Sequence, residues 1–417
     1  MFVTCSLTQA LGAVGEDSGE TTEWLFGGHG KYRFVHQSYP QDSAFRPALG
    51  SDSLEQALEA RLSIAATRGA WDFKADYQFI ALRGETLQLA ETGPATPLPV
   101  RQVLSDDQRW WDLTQASGGE RSAYVNRLDR LNVGFTTQRT AWRFGRQAIS
   151  WGNGMLFNPA DVFNPFDPAA VDTEYKTGDD MLYGQFLFAG GGDLQGVAVV
   201  RRDPYSGDVE QDQSSLAFKY HGFLGPGEYD LLAAEHYDDR LLGLGGNMNV
   251  GGAVWRGDLT WTSTAREDVL SAVTSLSYSW NWGDRNVSGV LEYYHNGFGQ
   301  SGGAYSPAEL ARNPDLLTRL QRGEIYTLGR NYLGASATIE LSPLFLLTPG
   351  LFVNLHDPSA LAQLVARYDV GQELLLLCAL NIPVGPDGSE YGGVPVATGG
   401  RYLSTGPSLF AQLAWYF

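Results

Sequence analysis

Segment after segment of this chain alternates apolar and polar residues with a period of two. In "WDFKADYQFI", Trp71, Phe73, Ala75, Tyr77 and Phe79 fall on one side and Asp72, Lys74, Asp76 and Gln78 on the other. The pattern recurs where Trp255, Leu259 and Trp261 oppose Arg256, Asp258, Thr260 and Thr262, again in "SLSYSWNW" (275–282), and again in "LGASATIEL" (333–341). Side chains of a strand point alternately to opposite faces, so each segment reads as a strand with one apolar and one wet face. No run of 18 apolar residues exists, so no spanning helix is encoded. A soluble β-sandwich shows the same alternation. Two features point instead to a barrel in a membrane: the second face is too polar for a packed core, and rings bunch at strand ends, as at Trp280 and Trp282 or Trp415 and Phe417.

Counting such segments gives six strands before residue 190 (near 23–37, 54–66, 70–82, 122–137, 140–150 and 181–189). Seven more lie between Gly192 and Gly299, separated by short turns such as "GPGE", and five follow residue 329. The expectation is an all-β chain: a transmembrane antiparallel β-barrel of about 16–18 strands over 21–417, wide enough for an aqueous lumen. Long loops are expected at about 151–180 and 300–328. "DPSALAQLVARYDV" reads as the start of a hairpin, whereas "SPAELARNPDLLTRLQRGE" reads as a helical excursion, with Ser306 and Glu309 as a capping box, Pro307 in the first turn and Gly323 as a stop. Residues 1–20 read as a residual signal-like or disordered N-terminus, with Ala10-Leu11-Gly12 supplying small residues at a possible cleavage site.

Charge and residue counts exclude several functions. With 29 Lys plus Arg against 47 Asp plus Glu, the net charge of −18 argues against nucleic acid, whose binding depends on cations displacing counterions. Cys5 and Cys378 have no metal-ligand spacing, and the six histidines form no nucleophile–base motif, so no metal, no cofactor and no catalytic residue is expected.

The last ten residues, "SLFAQLAWYF", set Leu409, Ala411, Leu413, Trp415 and Phe417 on one face. This resembles the C-terminal signal of Gram-negative outer-membrane barrels. The resemblance implies a bacterial outer-membrane location, contact with outer-membrane lipid and lipopolysaccharide, and handling by the barrel-assembly machinery through Phe417. A periplasmic partner or a homo-oligomer is a further expectation. The stretch "GRQAISWGNGMLFNPADVFNPFDP" (145–168) carries a GRQ-x-x-S-W-G pattern that resembles segments of alginate-export-type and related porin-like barrels. Its paired Asn-Pro units favour turns, because Pro fixes φ and Asn tolerates left-handed backbone. It therefore reads as a compact loop, at the barrel mouth or folded inside.

Two functions stand open at this point: a porin-like channel for passive or substrate-selective passage of small polar solutes, and the outer-membrane outlet or scaffold of a lipid, polysaccharide or redox system. Inward parity nominates Arg130, Arg143, Arg256, Asp258, Glu292 and Glu340 as pore-lining charges, with Arg146 and Asp161 joining them at a constriction.

Overall fold

The computed structural model describes residues 21–89, 93–94, 98, 105–397 and 400–417, so the expectations for residues 1–20 lie outside the described residues. The chain forms strands β1 (Glu23–Ser38), β2 (Asp52–Arg68), β3 (Trp71–Gly84), β4 (Thr114–Gly119), β5 (Ser122–Thr136), β6 (Thr140–Gln147), β7 (Asp179–Leu187), β8 (Asp193–Val199) and β9 (Ser215–Leu224). The second half contains β10 (Gly227–His236), β11 (Asp239–Val250), β12 (Ala253–Ser263), β13 (Asp268–Trp282), β14 (Arg285–His295), β15 (Asn331–Ser342), β16 (Phe345–Asn354), β17 (Ser359–Asp369), β18 (Leu374–Val384) and β19 (Ser408–Tyr416). Each strand except β4 pairs antiparallel with its neighbours in sequence, β3 pairs directly with β5, and β19 closes on β1 with His29 opposite Tyr416. The wall is thus a closed barrel of 18 strands, each paired on both sides.

All 18 wall strands coincide with the alternating segments of the sequence. The extra strand, β4, lies on β5 above the point where β6 ends, with Thr114 opposite Arg127. There the wall is low, because β6 and β8 have only 8 and 7 residues, and segment 105–119 continues it upward. Connections at one end are tight; Gly251 and Gly252 both take positive φ, 57° and 87°, as a two-residue hairpin turn of the favoured hand requires. At the other end the connections are mostly long, with β10–β11, β12–β13 and β16–β17 joined through only two to four residues.

The two faces of the wall are inverted relative to a water-soluble protein. Outward Leu276 and Leu291 are 45% and 52% exposed, while their inward neighbours Ser275 and Glu292 are 3% and 0% exposed. A continuous outer band of exposed Leu, Phe and Trp around a polar interior is stable only if hydrocarbon replaces water outside. The helical excursion forms as Pro307–Leu310 and Pro314–Arg322, broken where Asn313 caps the second helix by accepting the Leu316 N–H at 3.1 Å. Gly323 ends it in left-handed backbone, φ 70°.

We expect Leu276→Arg, on the outer face near mid-strand, to destabilise the barrel by about 2–4 kcal/mol in urea unfolding from lipid vesicles. Ser279→Arg, on the inner face of the same strand, should leave the unfolding midpoint nearly unchanged.

Candidate functional site

Between β6 and β7 the chain leaves the wall for residues 148–178, and the sequence dictates where it goes. Gly145 has φ 123° and a Cβ there would strike the Leu131 carbonyl, so only glycine turns the strand end this way. Gln147 is buried and its side-chain amide donates to the Arg143 and Met181 carbonyls. Trp151 then plugs into an apolar pocket of Met181, Val197, Val199, Ala217, Leu232 and Leu241, its Nε1–H donating to Gln195 at 2.8 Å. Gly152, φ 89°, redirects the backbone along the inner wall. The GRQ-x-x-S-W-G motif is the device by which a strand becomes a lumen loop.

From Trp151 the ties of the loop to the wall run round the lumen in barrel order, while residues 160–163 double back between two of those ties to pack with Trp151 against Met181, Val197 and Val199, where Phe163 meets Trp151 and His236. The Asn153 N–H and side-chain amide donate to Asp258 on β12 at 2.6 and 2.8 Å, the amide also reaches Asp230 on β10, and the Gly154 N–H donates to Asp258 at 3.2 Å. The next three amides, of Met155, Leu156 and Phe157, donate to Glu292 on β14 at 2.6, 3.0 and 2.6 Å. Phe157 stacks on Tyr294 with ring centroids 4.8 Å apart and touches Tyr332 on β15 and Phe352 on β16. The Ala169 carbonyl accepts from Gln363 on β17 at 2.8 Å. Asp172 takes Lys31 on β1 and Gln412 on β19 at 2.8 and 2.9 Å, and Glu174 takes Lys31 and the Tyr416 hydroxyl. Tyr175 lies under the Arg61 guanidinium of β2, 4.3 Å from its ring centre. Finally the Lys176 carbonyl accepts from Arg130 and the Gly178 N–H donates to Asp129, both on β5, and the chain re-enters the wall at β7.

The logic is backbone accounting. A segment without helix or ladder must give its buried N–H groups other acceptors. Residues 153–157 hand five consecutive amides to two wall carboxylates, and hydrogen bonds to a charged acceptor are worth about 1.5–3 kcal/mol each. The Asn-Pro units work inside the collar: the Asn158 amide donates to the Trp151 carbonyl at 2.8 Å and that of Asn164 to Thr177 at 3.3 Å. Burial pushes the Asp161 carboxyl up, against the pull of Lys176, with which it is ion-paired. Asp172 moves down, because Lys31 outweighs the cost of its burial.

The nominated charges therefore serve differently from expectation. Asp258 and Glu292 face inward, but they are spent on the collar. Arg146 is no pore charge: it is 1% exposed, its guanidinium bound to Asp106 at 2.5 Å, to Asp180 at 2.8 Å and to the Trp111 carbonyl, which locks segment 105–119 into the low part of the wall. Asp161 is also buried, 3% exposed. Arg130 underlies the end of the collar, and Arg256 is held by Ser277 at 2.8 Å. Arg143, paired with Asp72 at 3.2 Å, and Glu340, accepting from Asn286 at 3.0 Å, remain partly solvent-exposed on the inner face. Lys31 and Arg61 were absent from the nominated set. Alternation in β1 and β2 sets both inward, but nothing local links Lys31 to an aspartate 141 residues away.

A second clasp joins the loops at the open end. Glu390, in the 385–407 loop, accepts from the Leu328 N–H at 2.8 Å, from the Asn354 amide at 2.7 Å and from the Tyr332 hydroxyl. Asp357 and the phenols of Tyr305 and Tyr391 face it, and burial without a cationic partner pushes its carboxyl up to about 7. The 296–330 loop that it holds reaches the collar where the Tyr326 hydroxyl donates to the Pro165 carbonyl at 3.2 Å.

Similar solved structures cover nearly the whole chain. Acinetobacter baumannii OccAB1 aligns over 94% of this chain and 96% of its own at TM-score 0.57 and 10% identity. A BenF-like porin from Pseudomonas fluorescens Pf-5 aligns over 95% and 98% at TM-score 0.54 and 10% identity, and Pseudomonas aeruginosa OccD3 over 94% and 91% at TM-score 0.50 and 11% identity. The chain has the fold of an outer-membrane porin. No protein-family model matches it, and no curated protein matches it in sequence. Within the porin fold, the collar is the element that stands between the two ends of the lumen wall.

We expect Glu292→Ala to strand three buried amides and to accelerate hydrogen exchange at Met155, Leu156 and Phe157 at least ten-fold, roughly the loss of one charged hydrogen bond. The Glu390 clasp should titrate. A carboxyl raised from 4.5 to about 7 in the closed arrangement favours that arrangement most below the ordinary value, and the advantage is lost as pH rises through about 7. Exchange protection of the Leu328 amide, corrected for intrinsic rates, should fall between pH 5 and 8, and Glu390→Gln should flatten the profile.

Proposed function

We propose that the protein is a channel of a bacterial outer membrane that passes small polar solutes, with the 148–178 collar setting its aperture. The carrying observation is the circuit of the collar: a segment tied to the wall from β8 round to β5 narrows a lumen from all sides. The porin fold supports the reading, since one of the solved structures that share it is a BenF-like porin. Lipid and lipopolysaccharide would contact the outer apolar band. Phe417, whose N–H and carbonyl bond to Gly28 on β1, would present the assembly signal at the short-turn end. An export outlet or scaffold rests on the GRQ-x-x-S-W-G resemblance alone, and the turn into the lumen accounts for those residues. A periplasmic partner or a homo-oligomer is compatible with either reading.

Purified protein in planar bilayers should conduct KCl in discrete steps. Asp258→Asn combined with Glu292→Gln should loosen the collar and increase step size or open-channel noise. A protein that folds and inserts but never conducts, with or without these changes, would remove the channel reading.

A further inference from the structure

The inner wall is not uniformly polar. Below the collar, towards the short turns, β13, β14 and β15 present Ser277, Ser279, Ser288 and Thr338 to the lumen, as a water-filled barrel requires. The neighbouring strands break this rule, at the level of the collar ties and below them. Gln363 and Gln412 fix the inward parity of β17 and β19 through their bonds to the collar, and strand pairing then sets Leu346, Val365, Leu375, Leu377 and Phe410 inward as well. Leu346 and Leu377 flank Arg367 in one row across the strands, and Val365 and Phe410 flank Ala379 in the next. All five are half-buried and belong to none of the four apolar clusters found among the described residues. β18 is apolar on both faces because of this stripe, which the lipid-facing side alone does not require. Charge in the stripe comes from Arg367 and from Asp369 opposite Leu375, loosely paired at 3.4 Å with side chains 49% and 38% exposed, and Glu340 lies beside Leu346 in the row of Arg367.

We propose that this stripe is a binding track for small anionic amphiphiles, with their alkyl chain lying on β16 to β19 and their head group at Arg367. The proposal rests on the channel reading and names the solute class that the channel would favour. Hydrocarbon on one side of a passage and hydroxyls on the other orient such a molecule without trapping it, since only one side of the chain is dehydrated. An aliphatic wall carrying an exposed guanidinium that Asp369 holds only loosely complements a hydrocarbon body with an anionic head, which can take over that guanidinium, better than it does an inorganic ion or a sugar.

The test uses full-length protein in planar bilayers, with a series from ethanesulfonate to hexanesulfonate as blockers of the KCl current. Each added methylene, covered on one side, should lengthen block about two-fold. Leu375→Ser combined with Leu377→Ser should flatten that chain-length dependence while KCl conductance stays within about a third of wild type, on the ground that lumen substitutions tune selectivity more than stability. Arg367→Gln should weaken block by the same factor for every chain length. KCl conduction without chain-length dependence, or a dependence that survives the double serine change, would overturn the track and leave the channel reading standing. No KCl conduction at all would overturn both.

Discussion

Everything inside this barrel depends on the demand of an unpaired backbone for acceptors. Residues 148–178 enter the lumen without helix or ladder, and the wall meets them with carboxylates. Glu292 alone takes three successive amides, and Asp258 takes two amides and a side chain. A strand cannot supply these acceptors from its own backbone, because its carbonyls are committed to its neighbours. Inward acidic side chains are thus a structural requirement of a collared barrel before they have any part in selecting solutes.

This changes how the net charge of −18 is distributed. Several acidic groups are consumed in the interior: Asp258 and Glu292 by amides, Asp172 and Glu174 by Lys31, and Asp76 and Asp129 by Arg61. The cations are equally committed, Arg146 most of all. The field in the lumen is therefore set by the few groups that stay partly open, such as Arg143, Glu340 and Arg367, rather than by the sum of charges along the wall. A salt bridge with both partners buried fixes geometry and contributes little to steering.

The wall was legible in the sequence because a strand's period of two is local: Trp71 to Phe79 or Leu333 to Leu341 can be assigned without knowing any neighbour. The helix caps at Ser306 and Gly323 were legible for the same reason. The same alternation sets Asp258 and Glu292 towards the loop in the lumen. What could not be read was the use of those carboxylates, since the amides of 153–157 lie more than a hundred residues earlier and carry no side-chain signature. β4 escaped because "TQASGG" is polar on both faces and pairs only where β6 stops short. Arg146 looked like a pore charge because its burial depends on Asp106 and Trp111, which belong to a loop without periodic pattern.

The collar has one geometric consequence. A segment that leaves the wall beside β6, is tied at intervals round the circumference and returns beside β7 behaves as a belt with one reserve of length, the stretch 158–168 that doubles back to Trp151. Removing a residue within 153–157 would pull the following amides out of step with Asp258 and Glu292, whereas one removed from 158–168 can be absorbed in the stretch that doubles back. Aperture in such a protein is adjusted by exchanging side chains on the tied stretches, whose spacing follows the perimeter of the wall, while the stretch that doubles back is free to vary in length.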